Sequence, residues 1–285
     1  MTSETSRVDA AVPAYNPLLR AFHRAFAREL FKAIEALPLP EGARVLDVPC
    51  GDGFYSRCFA RRLREGGELV SCDLLMNYLK MARAGVRRIR RRPTLKFVAG
   101  DVYNLPFDAG SFDLVWCAQS FISLDEPVRA LREMRRVLKP GGAIAVLESD
   151  EFHHLLLPWP VELDLTMQQA IRDASRARYG TGSKLAPARK LPRMFAQAGL
   201  ALSGKTTYPA DRCAPFGANV RTFLHLHFER LREFVWDRLD RPTRAAFERF
   251  VDPDAEQSIF RQVDADVTCL NTVYLGTPVG RSGTP

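Results

Sequence analysis

Between Ala43 and Ser149, short apolar runs alternate with helical stretches, and this rhythm leaves the chain few ways to fold. ARVLDV (43–48), ELVSCD (68–73), LKFVAGD (95–101), FDLVWCA (112–118) and AIAVLES (143–149) read as strands. Residues 54–65, 75–91 and 127–138 carry the spacing of helices. Strands that are apolar on both sides and joined by helices pack as a parallel sheet with helices over both faces.

The flanks follow another rhythm. Residues 1–14 read as an unstructured tail. Residues 15–37 place Leu18, Leu19, Phe22, Phe26, Leu30 and Ile34 on one helical face, and Pro38, Pro40 and Gly42 stop it. After Asp150 the spacing predicts a helix over 161–178, a basic loop over 179–189, a helix over 190–198 and a strand over 200–208. A helix bearing Val220, Phe223, Leu224, His227, Leu231, Phe234 and Val235 follows, then one from Pro242 and a last strand over 267–276. The expected division is a tail and cap helix (1–40), a core (41–150), a helical insertion (151–189) and the rest of the core (190–285). That last part contains a second insertion, 212–264.

The first strand runs into Asp47-Val48-Pro49-Cys50-Gly51-Asp52-Gly53. Glycines there let the backbone turn sharply and approach a ligand at the strand's carboxyl end. Asp73 ends the next strand about 20 residues beyond Gly53, where a carboxylate meets ribose hydroxyls. A dinucleotide turn would need a third small residue, Gly or Ala, where Ser56 stands. A tight turn with no ligand would explain Gly-x-Gly by itself.

Two further segments narrow the choice: Gly100-Asp101-Val102 before Asn104-Leu105-Pro106-Phe107, and Leu138-Lys139-Pro140-Gly141-Gly142 before the fifth strand. With VLDVPCGDG (45–53) and VSCDLLMNYLKMAR (70–83), they make residues 40–150 resemble the class I S-adenosylmethionine-dependent methyltransferases, in particular the methyltransferase-11/UbiE-like group. The resemblance implies a Rossmann-like α/β sheet, mainly parallel with an antiparallel last strand, carrying helical lid insertions. It implies S-adenosylmethionine as cofactor. Asp47, Gly51 and Gly53 would hold its methionine part, Asp73 its ribose, Met76 and Asp101 its adenine, Val102 a backbone contact, and Gln119 the methionine end. Pro49 departs from the family by standing where a glycine is usual, and it removes an N–H from the turn.

Methyl transfer needs an aligned nucleophile, exclusion of water and, for an acceptor with a tightly held proton, a base. Glu148, Asp150, Glu151, His153 and His154 follow the fifth strand at the ligand edge, and His153 and His154 are the candidate catalytic residues. Equally, they could be loop residues with no chemistry. LLLPWP (155–160) would wall an acceptor pocket, bury a helix or form a homodimer contact. Phe22, Phe121 and Tyr15 are further wall candidates, and His225 and His227 read as packed or surface residues.

The acceptor expected is a small, partly apolar molecule. The formal charge of +8 and the run Arg87, Arg88, Arg90, Arg91 and Arg92 raise the alternative of RNA or protein as substrate. No aromatic residues interleave with the arginines, and Cys117-Ala118-Gln119-Ser120 replaces the tetrapeptide of base-amino methylation, so nucleic acid is not favoured. A third reading is a non-catalytic S-adenosylmethionine-binding protein. The six cysteines form no CxxC pair and read as reduced and structural, with no metal site. Neither a membrane-length apolar run nor a signal-type N-terminus is present, and the expected location is cytoplasmic.

Overall fold

The computed structural model describes residues 16–63, 66–90, 93–150, 152–153, 155–180, 184 and 186–279. The expected tail, Tyr15, Arg91, Arg92, Glu151 and His154 lie outside the described residues.

The strands are β1 (Arg44–Asp47), β2 (Glu68–Asp73), β3 (Thr94–Ala99), β4 (Phe112–Ala118), β5 (Leu138–Glu148), β6 (Leu155–Leu156), β7 (Leu200–Cys213) and β8 (Asp266–Pro278). They form one sheet in the order β3-β2-β1-β4-β5-β8, with β6 also on β8 and β7 along its other edge. β1 to β5 pair in parallel, and β8 runs antiparallel to β5, β6 and β7. This is the Rossmann-like sheet with a reversed last strand that the motifs imply.

The strand interior is apolar on both sides because helices cover both. On one face Leu46, Val70, Val115 and Ile144 pack under α5 (Pro127–Arg136) and α7 (Pro187–Gln197), through Leu131, Met134, Leu191 and Phe195. On the other, Val45, Leu69, Leu114 and Ala145 meet Phe59 of α3 (Phe54–Leu63) and Leu30 and Ile34 of α2 (Ala27–Glu35). Successive residues such as Val45 and Leu46 take opposite faces, as the period of a strand requires. α4 (Met76–Val86) lies beside α3 and β2.

The additions form a helical layer. It comprises α1 (Asn16–Ala25), α6 (Val161–Tyr179), α8 (Ala218–Val235) and α9 (Arg241–Val251). Their apolar faces join the second cluster through Phe22, Met167, Phe223, Phe228 and Phe247.

Several elements differ from expectation, β5 among them, which starts at Leu138 and not at 143. The helix over 15–37 is two helices, because Phe26 (φ −119°) leaves the helical backbone and buries its ring. α7 begins at Pro187, inside the expected basic loop, since proline suits the first turn of a helix. β7 runs to Cys213 because β8 supplies partners along its whole length, so the second insertion starts after it. β6 was not expected at all.

Candidate functional site

The carboxyl ends of β1, β2 and β4 open into a cleft of about 470 Å³. Its floor is the Pro49–Asp52 turn. Gly51 takes φ +51°, and its N–H donates to Asp73 Oδ2 at 2.9 Å, while the N–H of Leu75 donates to Oδ1 at 2.9 Å. Two backbone donors therefore fix the Asp73 carboxylate on the wall with lone pairs to spare. Burial nevertheless pushes its pKa up.

Asp101, Val102 and Gln119 also line this cleft. Asp101 is exposed, and its Oδ1 accepts from the N–H of Tyr103 at 2.9 Å. Gln119 is a non-glycine residue at φ +52° just past β4, with its N–H on the carbonyl of Leu147.

Three other expected residues stand behind the wall. Asp47 is 1% exposed and accepts from the Ser56 hydroxyl at 2.6 Å. Desolvation raises its pKa to about 7, and the Ser56 bond ties the end of β1 to α3 across the turn. Gly53 (φ +79°) faces Ala82 of α4, whose Cα and Cβ leave no room for a side chain. That glycine serves helix packing. Met76 packs with Cys50, Leu79 and Ala82, and Leu74, Leu75 and Tyr78 take the cleft wall instead.

Glu148, a sequence candidate for chemistry, is committed elsewhere. Its Oε1 accepts from the N–H groups of Ser120 and Phe121 at 2.7 and 2.8 Å, and burial lifts its pKa to about 7. It holds the turn that carries Gln119. Asp150 is held by Arg189 (2.7 Å); burial opposes ionisation, but the Arg189 bond and the Phe152 N–H keep its pKa below the usual value.

A second cavity, of about 460 Å³, lies under the additions and is mainly apolar. Leu155–Leu157, Trp159, Met167, Phe223 and Phe234 wall it, with Leu18 and Phe22 of α1. Leu19 lines both this cavity and the cleft, so the two meet at α1. Phe22 thus has the expected place. Phe121 does not: it is fully buried, and its neighbour Ile122 faces the cavity.

His153 stands on the wall of this second cavity. Its Nδ1 lies 3.0 Å from an Arg189 nitrogen. Arginine only donates, so Nδ1 accepts and its lone pair is occupied. The arrangement offers Nε2–H as a donor toward the cavity. His227 also lines the cavity, and His225 stacks on Phe260 at 4.4 Å.

The sequence reading missed His23. It lies buried on α1, lines the cleft and bonds to Gln119. The only local signal was a polar residue on the apolar face shared with Leu19, Phe22 and Phe26.

Five cysteines are buried with no disulfide, and Cys213 is exposed. Among the described residues no cluster could hold a metal ion, and no helix is long and apolar enough to cross a membrane.

With this geometry, residues 46–146 match the family model described as a methyltransferase domain. The chain is 37% identical over 125 residues to a demethylmenaquinone methyltransferase of Paenarthrobacter aurescens, covering 44% of this chain and 45% of that protein. It is 39% identical over 125 residues to the protein of the same name from Renibacterium salmoninarum, covering 44% and 48%. The matches thus span about half the length of these curated relatives. The solved structure of the YcgJ protein of Bacillus subtilis shares the fold, with a TM-score of 0.51 at 17% identity, covering 89% of this chain and all of that one. Residues 46–146 thus form a methyltransferase domain of the class I, UbiE-like kind.

Proposed function

We propose that this chain moves a methyl group from S-adenosylmethionine to a small, partly apolar acceptor. The observation that carries this reading is the pair of cavities joined at Leu19, one at the strand ends with Asp73, Asp101 and Gln119 on its wall and one under the helices walled by large apolar side chains. The cleft fits the cofactor: its volume lies in the range of ligand pockets, and the carboxylates on its wall, Asp73 and Asp101 among them, suit a ligand rich in hydrogen-bond donors. When bound, the cofactor supplies an electrophilic methyl group on sulfur.

The chain's own residues bind and orient. Asp73 accepts from the ribose hydroxyls, Asp101 accepts from the adenine amino group, and Val102 contributes its backbone. The Gly51 turn and Gln119 surround the methionine end, with Asp47 and Gly53 holding the turn from behind. The helical layer is a lid that excludes water from the acceptor side. His153 donates through Nε2–H to the acceptor's polar end. Demethylmenaquinone, the substrate in the names of the two relatives, has the apolar body such a cavity takes. The reading places the chain in the cytoplasm.

Titration calorimetry with S-adenosylmethionine tests the first half. Asp73→Ala should lose a charge-assisted interaction of about 1.5–3 kcal/mol, roughly tenfold or more in affinity. Hydrogen exchange tests the second half: cofactor product plus an apolar acceptor should protect 155–159 and 218–235. No binding by the wild type, or protection confined to the sheet, would overturn the respective half.

A further inference from the structure

His23 is 4% exposed, and its ring lies flat on Phe54 at 4.2 Å with the edge of Tyr55 against it. Nε2 lies 2.9 Å from Gln119 Oε1, and the Tyr55 hydroxyl donates to the same oxygen at 3.3 Å. Nδ1 is buried without a partner.

These contacts settle which way the groups point. An amide oxygen only accepts, so Nε2 carries the ring proton and Nδ1 is bare. Turning the amide over would move that proton to Nδ1 and strand a buried donor, which costs more than a bare nitrogen in an apolar setting. Burial also keeps the ring neutral, with a pKa lowered to about 4. With Oε1 held by two donors, the amide NH2 is the part of Gln119 left for the cleft it lines.

The same bond has a mechanical side. His23 sits one turn after Leu19, the residue common to both cavities, and follows Phe22, which packs on Phe223 of α8. Gln119 sits on the sheet. The bond therefore joins the helical layer to the sheet at the point where the cavities meet.

We propose that His23 is a positioning residue: its Nε2–H turns the Gln119 amide NH2 toward an anionic oxygen in the cofactor cleft, and the bond seats α1 as the wall between the two cavities. The proposal rests on reading the cleft as the cofactor site. The ligand group it takes is a carboxylate, as at the amino-acid end of such a cofactor.

The test uses the full chain and S-adenosylhomocysteine as probe. His23→Leu should weaken its binding about tenfold, and His23→Gln, which restores an amide donor, should stay within about threefold of wild type. Gln119→Ala should weaken it as His23→Leu does, and the double variant should be no worse than either single one, since both remove one linked unit. The probe should slow hydrogen exchange across 16–25 in the wild type and fail to do so in Gln119→Ala. Additive losses, or normal binding by a His23→Leu protein that merely melts earlier, would overturn the proposal. If His23→Leu does not fold, the His23→Gln and Gln119→Ala measurements decide, with equal tenfold losses in both counting against it. Failure of the wild type to bind the probe would instead remove the cofactor reading on which it stands.

Discussion

The cleft and the apolar cavity have similar volumes, yet they are built on opposite principles. In the cleft the polar groups are fixed before any ligand arrives. Asp73 is held by two backbone N–H groups, the Gln119 turn by Glu148, and the Gly51 turn by Asp47 through Ser56. The holders sit at strand ends, in the turns that follow them or in the first turn of α3, and the sheet dictates where those turns begin. The apolar cavity has no such frame. Its walls come from α1, residues 152–153 and 155–159, α6 and α8, and packing among large side chains does most to set its shape, with Asp164–Gln168 and Arg189–His153 as local hydrogen bonds on the wall. Preorganised polarity suits a ligand of constant chemistry, whereas a packed cavity changes its occupant by changing a few side chains.

The sharpest break would come from Gly53. A β-branched residue there must take a positive φ and displace Ala82. Gly53→Val should cost about 4 kcal/mol, combining a left-handed backbone penalty with overpacking, and should lower the melting temperature steeply. A mild effect would mean that the cleft tolerates movement and is no more rigid than the cavity. Glu148 gives the next largest effect. Its folded pKa, about 7, lies above the ordinary 4.5, so the folded chain binds that proton more tightly than the unfolded one. The stability this gives is complete below about pH 4 and is lost as pH rises through about 7. Glu148→Gln keeps an acceptor for the Ser120 and Phe121 N–H groups without the buried charge. It should be more stable than wild type above pH 7 by up to about 3 kcal/mol, with a flatter melting-temperature profile. An unchanged slope would show that the pH response resides elsewhere.

The same contrast explains what the sequence reveals. β2 and β4 were legible to the residue, because apolar runs bounded by polar turns leave one reading. The cleft residues Asp73, Asp101 and Gln119 follow strand ends, so finding the strand finds the side chain. Met76 starts a helix, where helical phase decides what a side chain meets, so a strand end does not fix its packing with Cys50, Leu79 and Ala82. β6 escaped notice because two residues have no periodicity, and they pair with residues more than a hundred positions away. His23 escaped because its partner, Gln119, is 96 residues distant. Long-range packing built the cavity: the apolar run 155–160 pointed to one wall, and no local pattern encodes how the others meet it.

Trp159 tests whether the two regions are separable. Its ring packs on Phe250 at 4.1 Å and meets Phe228 and Phe247, while part of it faces the cavity. Trp159→Ala should cost about 2–3 kcal/mol, less than for a fully buried Trp because the residue is only partly buried. Acceptor affinity should fall with it, and binding of S-adenosylhomocysteine should stay within about twofold of wild type. A cofactor loss as large as the acceptor loss would show that the helical layer and the sheet form a single site.

The smallest effect is expected at His153, where sequence and geometry disagree most. Its place after the fifth strand suggests a base. Its side chain is half-exposed, though, and its Nδ1 faces a guanidinium nitrogen that can only donate. Asp150 lies 3.5 Å from the same Nδ1 but is already taken by Arg189 at 2.7 Å. A base would have to give up the Arg189 bond before taking a proton. As a donor to the acceptor's polar end, His153 contributes one exposed hydrogen bond, so His153→Ala should lower kcat/KM about threefold, mostly through KM. His153→Gln, which keeps a donor, should recover most of that. A general base would behave otherwise: its loss would cost a hundredfold or more in kcat and remove the acidic limb of the pH profile. That outcome would mean the Arg189 contact breaks when the acceptor binds, and would return the chemistry of the apolar cavity to a histidine.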